Sequence, residues 1–226
     1  MKLIIFDLDQ TLVDLVSLHN EVTHRMLEKF FGVDASLDEV DHAGRSQRDG
    51  MWDLARMKGV PAEVFDRKID RLLAEFGAEF AASMPEDMSK HILPGVPDLL
   101  DALSRTGNIL MLYTGDSPEV AEAALRATGF GRYFRYRFFG TQHKKREDMV
   151  ALAIRQAEES SGQQFKGKAV VIIGDSLRDV DCGRIFRALV IGVATGYYST
   201  RELVDAGADL AVRSLQESKT ILDAID

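Results

Sequence analysis

Leu3-Ile4-Ile5-Phe6, followed at once by Asp7-Leu8-Asp9-Gln10-Thr11, decides how this chain folds. An unbroken apolar run of that length suits a strand buried on both faces, as in parallel sheets covered by helices. A second run, Ala169-Val170-Val171-Ile172-Ile173, ends in Gly174-Asp175-Ser176-Leu177-Arg178-Asp179. Each carboxylate cluster therefore crowns a strand, and open parallel sheets bind ligands at the carboxyl ends of their strands. The expected chemistry is phosphoryl transfer.

Working outward, strand-like runs recur at 108–113, 136–139, 188–193 and 208–212. Helical stretches separate them from residue 97 onward. Pro97 to Arg105 reads as one helix, with Pro97 in its first turn. Ser117-Pro118 opens another, with Ser as N-cap and Pro at N1, running to Thr128 before Gly129. Residues 147–159 carry helical apolar spacing at Met149, Val150, Ala153 and Ile154. Ser214-Leu215-Gln216-Glu217 has the capping-box pattern and is expected to open the last helix. Strands alternating with helices imply an α/β fold with a mostly parallel sheet.

Residues 15–88 break this rhythm. Leu18, Val22, Met26 and Phe30 share one helical face, as do Phe65, Ile69, Leu72, Phe76 and Phe80. The expected organisation is a helical domain at 15–88 inserted into a core of residues 1–14 and 89–226. Pro94-Gly95-Val96-Pro97 marks the return. The aromatics of the insertion are expected to pack its interior rather than hold a cofactor.

The 226 residues contain 36 acidic and 28 basic side chains, for a formal charge of −8. That balance argues against broad nucleic-acid or anionic-membrane binding. The single cysteine, Cys182, cannot form an intrachain disulfide and fits a reducing, cytoplasmic setting. Lys2 precedes too short an apolar stretch for a signal peptide, and no run reaches the length of a membrane span.

Asp7 and Asp9 alternate across a strand end, and a turn at Asp9 would bring both towards one ligand. A carboxylate can attack phosphorus, and a second can protonate the leaving oxygen and then activate water. The plainer alternative is a pair that merely turns the strand. Asp175 and Asp179 would complete a hard oxygen site for Mg²⁺, unless Asp175 or Ser176 simply caps a helix. Thr114 and Gly115, ending the run Leu110-Met111-Leu112-Tyr113, offer a hydroxyl and an amide to a phosphate oxygen. The same dipeptide is common turn chemistry. Lys144, Lys145 and Arg146 supply cations, or form a solvated charge run.

In this order and spacing the pieces resemble the four motifs of the haloacid dehalogenase-like hydrolase superfamily. Asp7-x-Asp9-x-Thr11 is similar to the first motif, Thr114 to the second, the 144–146 run to the third, and Gly174-Asp175 with Asp179 to the fourth. Leu93-Pro94-Gly95 resembles the return from the cap. Phe130-Gly131-Arg132-Tyr133-Phe134 resembles a segment after the second motif. The insertion is placed like the α-helical cap of the phosphoglycolate phosphatase-like subgroup.

The resemblance implies a Rossmann-like core and an Mg²⁺-dependent phosphatase. In it Asp7 is nucleophile and metal ligand, and Asp9 is general acid/base with its carbonyl on the metal. Thr114 and Gly115 bind the phosphoryl group, Asp175 ligates Mg²⁺, and Asp179 acts through water or orients a neighbour. Two departures stand out. Gln10 occupies a position that is usually Gly, and if φ is positive there it costs about 1 kcal/mol. The third-motif cation is Lys144 counted back from Asp148, or Arg146 counted from Phe139-Gly140, with the latter preferred.

Within the family Asp9 argues against a dehalogenase, and cap lysines Lys29, Lys58 and Lys68 give no sign of a Schiff base. A phosphomutase, or a catalytically silent binding protein on the same scaffold, remains the alternative. Arg45, in the cap loop His42-Ala43-Gly44-Arg45-Ser46, is expected to meet a substrate carboxylate or second phosphate, unless it is solvated and Ser46 caps the next helix. His19, His24, His91 and His143 show no metal-ligand spacing and read as incidental. The expected partner is a small-molecule phosphate ester, with the chain a monomer or homodimer.

Overall fold

The computed structural model describes residues 1–142 and 145–226. A six-stranded sheet runs in the order β3-β2-β1-β4-β5-β6, from β1 (Leu3–Phe6), β2 (Ile109–Thr114), β3 (Tyr136–Phe139), β4 (Val170–Gly174), β5 (Leu189–Val193) and β6 (Leu210–Val212). Every pairing is parallel. Central β1 is flanked by β2 and β4, with Phe6 in register with Leu112 and Ile173. The register brings Asp7, Thr114 and Asp175 to one edge of the sheet.

Side chains alternate across a strand, so each apolar run feeds both faces. Ile4, Phe6, Leu112, Val171 and Ile173 pack on one side; Leu3, Ile5, Met111, Val170 and Ile172 pack on the other. The second side is covered by α6 (Arg146–Ser161) through Met149, Val150, Ala153 and Ala157. The first is covered by α4 (Val96–Ser104) and α5 (Pro118–Thr128). Ser117 accepts the Val120 amide at the start of α5, as its Ser-Pro opening predicts.

Three further helices lie between β1 and α4: α1 (Val16–Phe31), α2 (Gln47–Met57) and α3 (Ala62–Ala82). Their apolar faces are those read from the sequence, with Val22, Met26, Ile69, Leu72, Phe76 and Phe80 buried. These residues join the same apolar cluster as Ile4, Phe6 and Ile173. The chain leaves and returns side by side: Asp14 N–H donates to His91 O at 2.7 Å and Leu93 N–H to Leu12 O at 3.1 Å. Gly95 follows with φ 86°, and a Cβ there would lie 2.2 Å from Gln216 N, so only glycine fits this return.

The remaining helices are α7 (Leu177–Ile185), α8 (Thr200–Ala206) and α9 (Ser218–Ile225). One expectation fails here. Ser214 and Glu217 do not open α9: Ser214 Oγ accepts the Gln216 amide and Glu217 Oε1 accepts the Arg213 amide. The pattern closes a turn, and α9 begins after Glu217 without a side-chain cap. Local side-chain hydrogen bonding satisfies turns as readily as helix starts. Among the described residues no helix is long and apolar enough to cross a membrane.

Candidate active site

The turn after β1 shapes the site. Gln10 adopts φ 58°, so the position does require the left-handed region that glycine would enter without cost. Gln10 N–H donates to Val13 O at 2.7 Å, and its side-chain amide donates to Asp14 at 2.6 Å. Thr11 Oγ1 donates to Asp175 at 3.3 Å, tying the turn to β4. Asp9 Oδ1 accepts the amides of Gln10 at 3.1 Å and Leu15 at 3.0 Å.

Asp7, Asp175 and Asp179 converge, each offering a carboxylate oxygen within 4.8 Å of the others. All three are buried. Burial pushes Asp7 well above the usual carboxylate range, reinforced by the charges of Asp179, Asp175 and Asp9 and opposed by Arg146. Asp175 is raised for the same first reason, with Asp179 and Asp9 adding to it. A Cβ on Gly196 would lie 1.9 Å from Asp175 Oδ2, so that loop can cover the carboxylate only with glycine there. Oxygen-only donors at the end of a sheet suit a hard divalent cation such as Mg²⁺.

Ser176 takes the capping role considered for it, and its partner Asp179 belongs to the acidic group. It caps α7 in a capping box with Asp179, whose Oδ2 accepts Ser176 N–H at 3.0 Å and Oγ–H at 2.7 Å. Asp179 Oδ1 meets the Tyr113 hydroxyl and lies 2.7 Å from Arg146. Helix capping and site construction are one feature here.

Arg146, the first residue of α6, enters this acidic group. Its guanidinium pairs with Asp7, donates to Gly44 O at 2.8 Å and lies over the Tyr113 ring, 4.2 Å from the centroid. Lys145 is exposed as the N-cap residue of α6. Lys144 lies outside the described residues.

Thr114 Oγ1 donates to Asp116 at 3.2 Å and accepts the Asp116 amide at the same distance. Gly115 lies under the loop of residues 42–46, where a Cβ would come within 1.9 Å of Arg45 O. Gln47 N–H donates to Gly115 O at 3.0 Å. Arg178 pairs with Asp41 at 2.7 Å and with Ala43 O, while Tyr197 Oη meets His42 Nε2 at 3.1 Å. The loop is therefore held over the carboxylates, beside an open cavity of about 100 Å³.

The Arg45 side chain pairs with Asp53 on α2, and Ser46 caps α2 by accepting the Asp49 amide. Arg45 still lines the cavity, with its charge already matched.

His19 was not singled out by its spacing, yet it is part of the site. Its Nε2 lies 3.7 Å from both Asp9 and Asp116, and its ring packs on Phe80 at 4.6 Å. Burial moves Asp9 up to about 6, with Asp116 adding to the rise and His19 and the Leu15 amide opposing it. The signal for His19 was available: it falls within the buried stripe of α1 beside Leu18 and Val22. Asp116, His42, Gln47 and Tyr197 also line the cavity. They sit on loops or a helix end, where no periodicity marks them.

The haloacid dehalogenase-like hydrolase family model matches residues 4–193. A phosphoglycolate phosphatase of Synechococcus elongatus is 28% identical, over 92% of this chain and 91% of its own length. One from Agrobacterium fabrum is 27% identical, over 86% of this chain and 81% of its own. Among solved structures, one described as a predicted phosphatase from Clostridium acetobutylicum superposes with TM-score 0.76 at 25% identity, covering 98% of both chains. A β-phosphoglucomutase from Clostridium difficile shares the fold with TM-score 0.82 at 17% identity, covering 100% of this chain and 97% of its own.

Proposed function

The chain belongs to the haloacid dehalogenase-like hydrolases, and on that footing we propose that it is an Mg²⁺-dependent phosphomonoesterase working through an aspartyl phosphate. Its substrate is a small phosphorylated metabolite, and residues 15–88 serve as its cap. The observation that carries this reading is the buried Arg146 guanidinium held against Asp7 inside the trio with Asp175 and Asp179. A nucleophilic carboxylate facing a phosphate dianion needs such positive charge.

Asp7 attacks phosphorus in line, and the bond from phosphorus to the ester oxygen breaks. Asp9, raised to about 6 by burial, gives its proton to the departing oxygen. The ionised Asp9 then takes a proton from water, which attacks phosphorus and breaks its bond to Asp7. Thr114 Oγ–H and the Gly115 amide donate to the phosphoryl oxygens, and Arg146 balances their charge. Asp7, Asp175 and the Asp9 backbone carbonyl would hold Mg²⁺, with Asp179 acting through water. When bound, the cation lowers the repulsion between phosphate and Asp7.

Hydrolysis of para-nitrophenyl phosphate with Mg²⁺, abolished by EDTA and by Asp7→Asn, is the expected result. Inactivity of the wild type on this ester and on a broad phosphate-ester panel would favour the binding role. Activity retained by Asp7→Asn would remove the nucleophile assignment.

A further inference from the structure

Gln47, the first residue of α2, lines the cavity from the cap side and has no part in the mechanism above. Its backbone amide is satisfied by Gly115 O. Its side chain is not: both Nε2 and Oε1 are buried, and neither has a hydrogen-bond partner among the described residues. Buried polar groups are nearly always paired, so an orphaned carboxamide on a residue that lines the cavity calls for a partner. The other orphaned buried atoms are single Nε–H groups of Arg25, Arg137 and Arg146, each on a guanidinium paired through its remaining nitrogens.

The neighbours of Gln47 in the cavity wall are already engaged. Arg45 is held by Asp53, Ser46 bonds Asp49, and His42 bonds Leu37 O and Tyr197. Gln47 alone among these presents an open donor and an open acceptor.

We infer that Gln47 reads the leaving group, selecting a small phosphate ester whose alcohol carries a further neutral hydroxyl. This rests on the phosphomonoesterase reading and names its substrate class, the phosphates of small polyols and sugars. A carboxamide donates through Nε2 and accepts through Oε1, and a hydroxyl answers both. A carboxylate or a second phosphate dianion only accepts, leaving Oε1 against a negative charge. It would also enter a cavity lined by Asp9 and Asp116 with Arg45 already neutralised. Sites built to hydrogen-bond a substrate hydroxyl discriminate strongly against analogues that lack it.

The test compares kcat/KM, with Mg²⁺, for glycerol 3-phosphate, 2-phosphoglycolate and para-nitrophenyl phosphate. It uses the wild type, Gln47→Glu and Gln47→Met. Glutamate keeps the shape, removes the donor and suits a helix start; methionine removes both polar atoms. Circular dichroism and Tm confirm that each variant folds. The wild type is expected to favour glycerol 3-phosphate over 2-phosphoglycolate by about tenfold or more, Gln47→Met to lower that ratio by about tenfold, and Gln47→Glu, which still accepts from a hydroxyl and repels a carboxylate, to keep or raise it. Gln47→Met is also expected to lose more on glycerol 3-phosphate than on the aryl ester, which has no hydroxyl to read. Preference of the wild type for 2-phosphoglycolate, an unchanged ratio in Gln47→Met, a lowered ratio in Gln47→Glu, or equal losses on all three esters overturns the inference. Inactivity of the wild type on all three esters overturns the inference, and inactivity on a broad phosphate-ester panel as well overturns the phosphomonoesterase reading with it.

Discussion

On the sheet side of the cavity, Asp7, Asp175 and Asp179 are buried at the ends of strands fixed by parallel pairing, with Arg146 embedded among them. On the cap side, residues 41–47 are held by pairs that reach solvent: the Asp41 side chain is 61% exposed where it meets Arg178. The Arg178 hydrogen bond keeps Asp41 below its ordinary pKa, whereas burial drives Asp7 and Asp175 above theirs. One wall stores electrostatic repulsion and the other forms contacts that water can replace. The difference teaches that charge and position for chemistry are built into the sheet, while the facing loop is fastened by contacts that reach solvent.

Asp7→Asn is the severest test of that division. It should lower kcat on the order of 10⁴-fold, by removal of a group that acts with its neighbours as a unit. It should also raise the stability of the metal-free protein, since burial already disfavours the Asp7 charge. Asp7, Asp9 and Asp175 have pKa values raised above about 3.9, their value in the unfolded chain. Between that value and the folded one, the native state holds protons that the unfolded chain has lost. Stability from these groups is therefore greatest below about pH 4 and falls as pH rises through about 6, where Asp9 ionises. Metal-free melting curves from pH 4 to 7 check the direction, and Mg²⁺ should reverse the loss at pH 7.

Arg146→Met should cost about 10²–10³ in kcat and about 3 kcal/mol of stability, since it leaves buried carboxylates without their counter-charge. Wild-type-like melting would break the contrast between the two walls. A smaller effect is expected from pH. With an alkyl phosphate, kcat/KM should fall up to tenfold per unit above about pH 6, as Asp9 loses the proton the leaving group needs. With para-nitrophenyl phosphate the fall should be shallower, because that leaving group departs without a proton. Equal slopes would remove Asp9 from the acid role.

The smallest change is expected on the cap. Arg178→Ala should raise KM a few-fold and alter stability by less than about 1 kcal/mol, as exposed pairs do. A loss of kcat comparable to that of Arg146→Met would show the two walls to be equally involved in the chemistry.

The strands and the positions of Asp7, Asp9, Thr114 and Asp175 were legible because a buried parallel strand announces itself as an apolar run and its end as the first polar residue. Arg146 was legible as the preferred of two cations only through its spacing from Phe139-Gly140, since charge runs carry no direction of their own. Gln10 was flagged by its departure from glycine, and its φ of 58° bears out the reason. His19 was passed over because a histidine on an apolar helix face looks the same whether or not carboxylates await it across the fold. Gln47 left no trace, because its environment is made by Gly115, 68 positions further along the chain. Ser214 and Glu217 misled in the opposite way, through a local pattern that two structures can satisfy.

The apolar cluster that joins Ile4, Phe6 and Ile173 of the sheet to Val22, Leu72 and Phe76 of the cap helices bears on how such proteins can be recombined. Exchanging residues 15–88 for the cap of a relative would not swap a module across a polar seam. The graft would have to reproduce a shared interior, including the point where Gly77 of α3 meets Glu119 of α5 so closely that a Cβ would lie 2.6 Å from that side chain. Chimeras in this fold should therefore be cut so that α5 travels with the cap it supports.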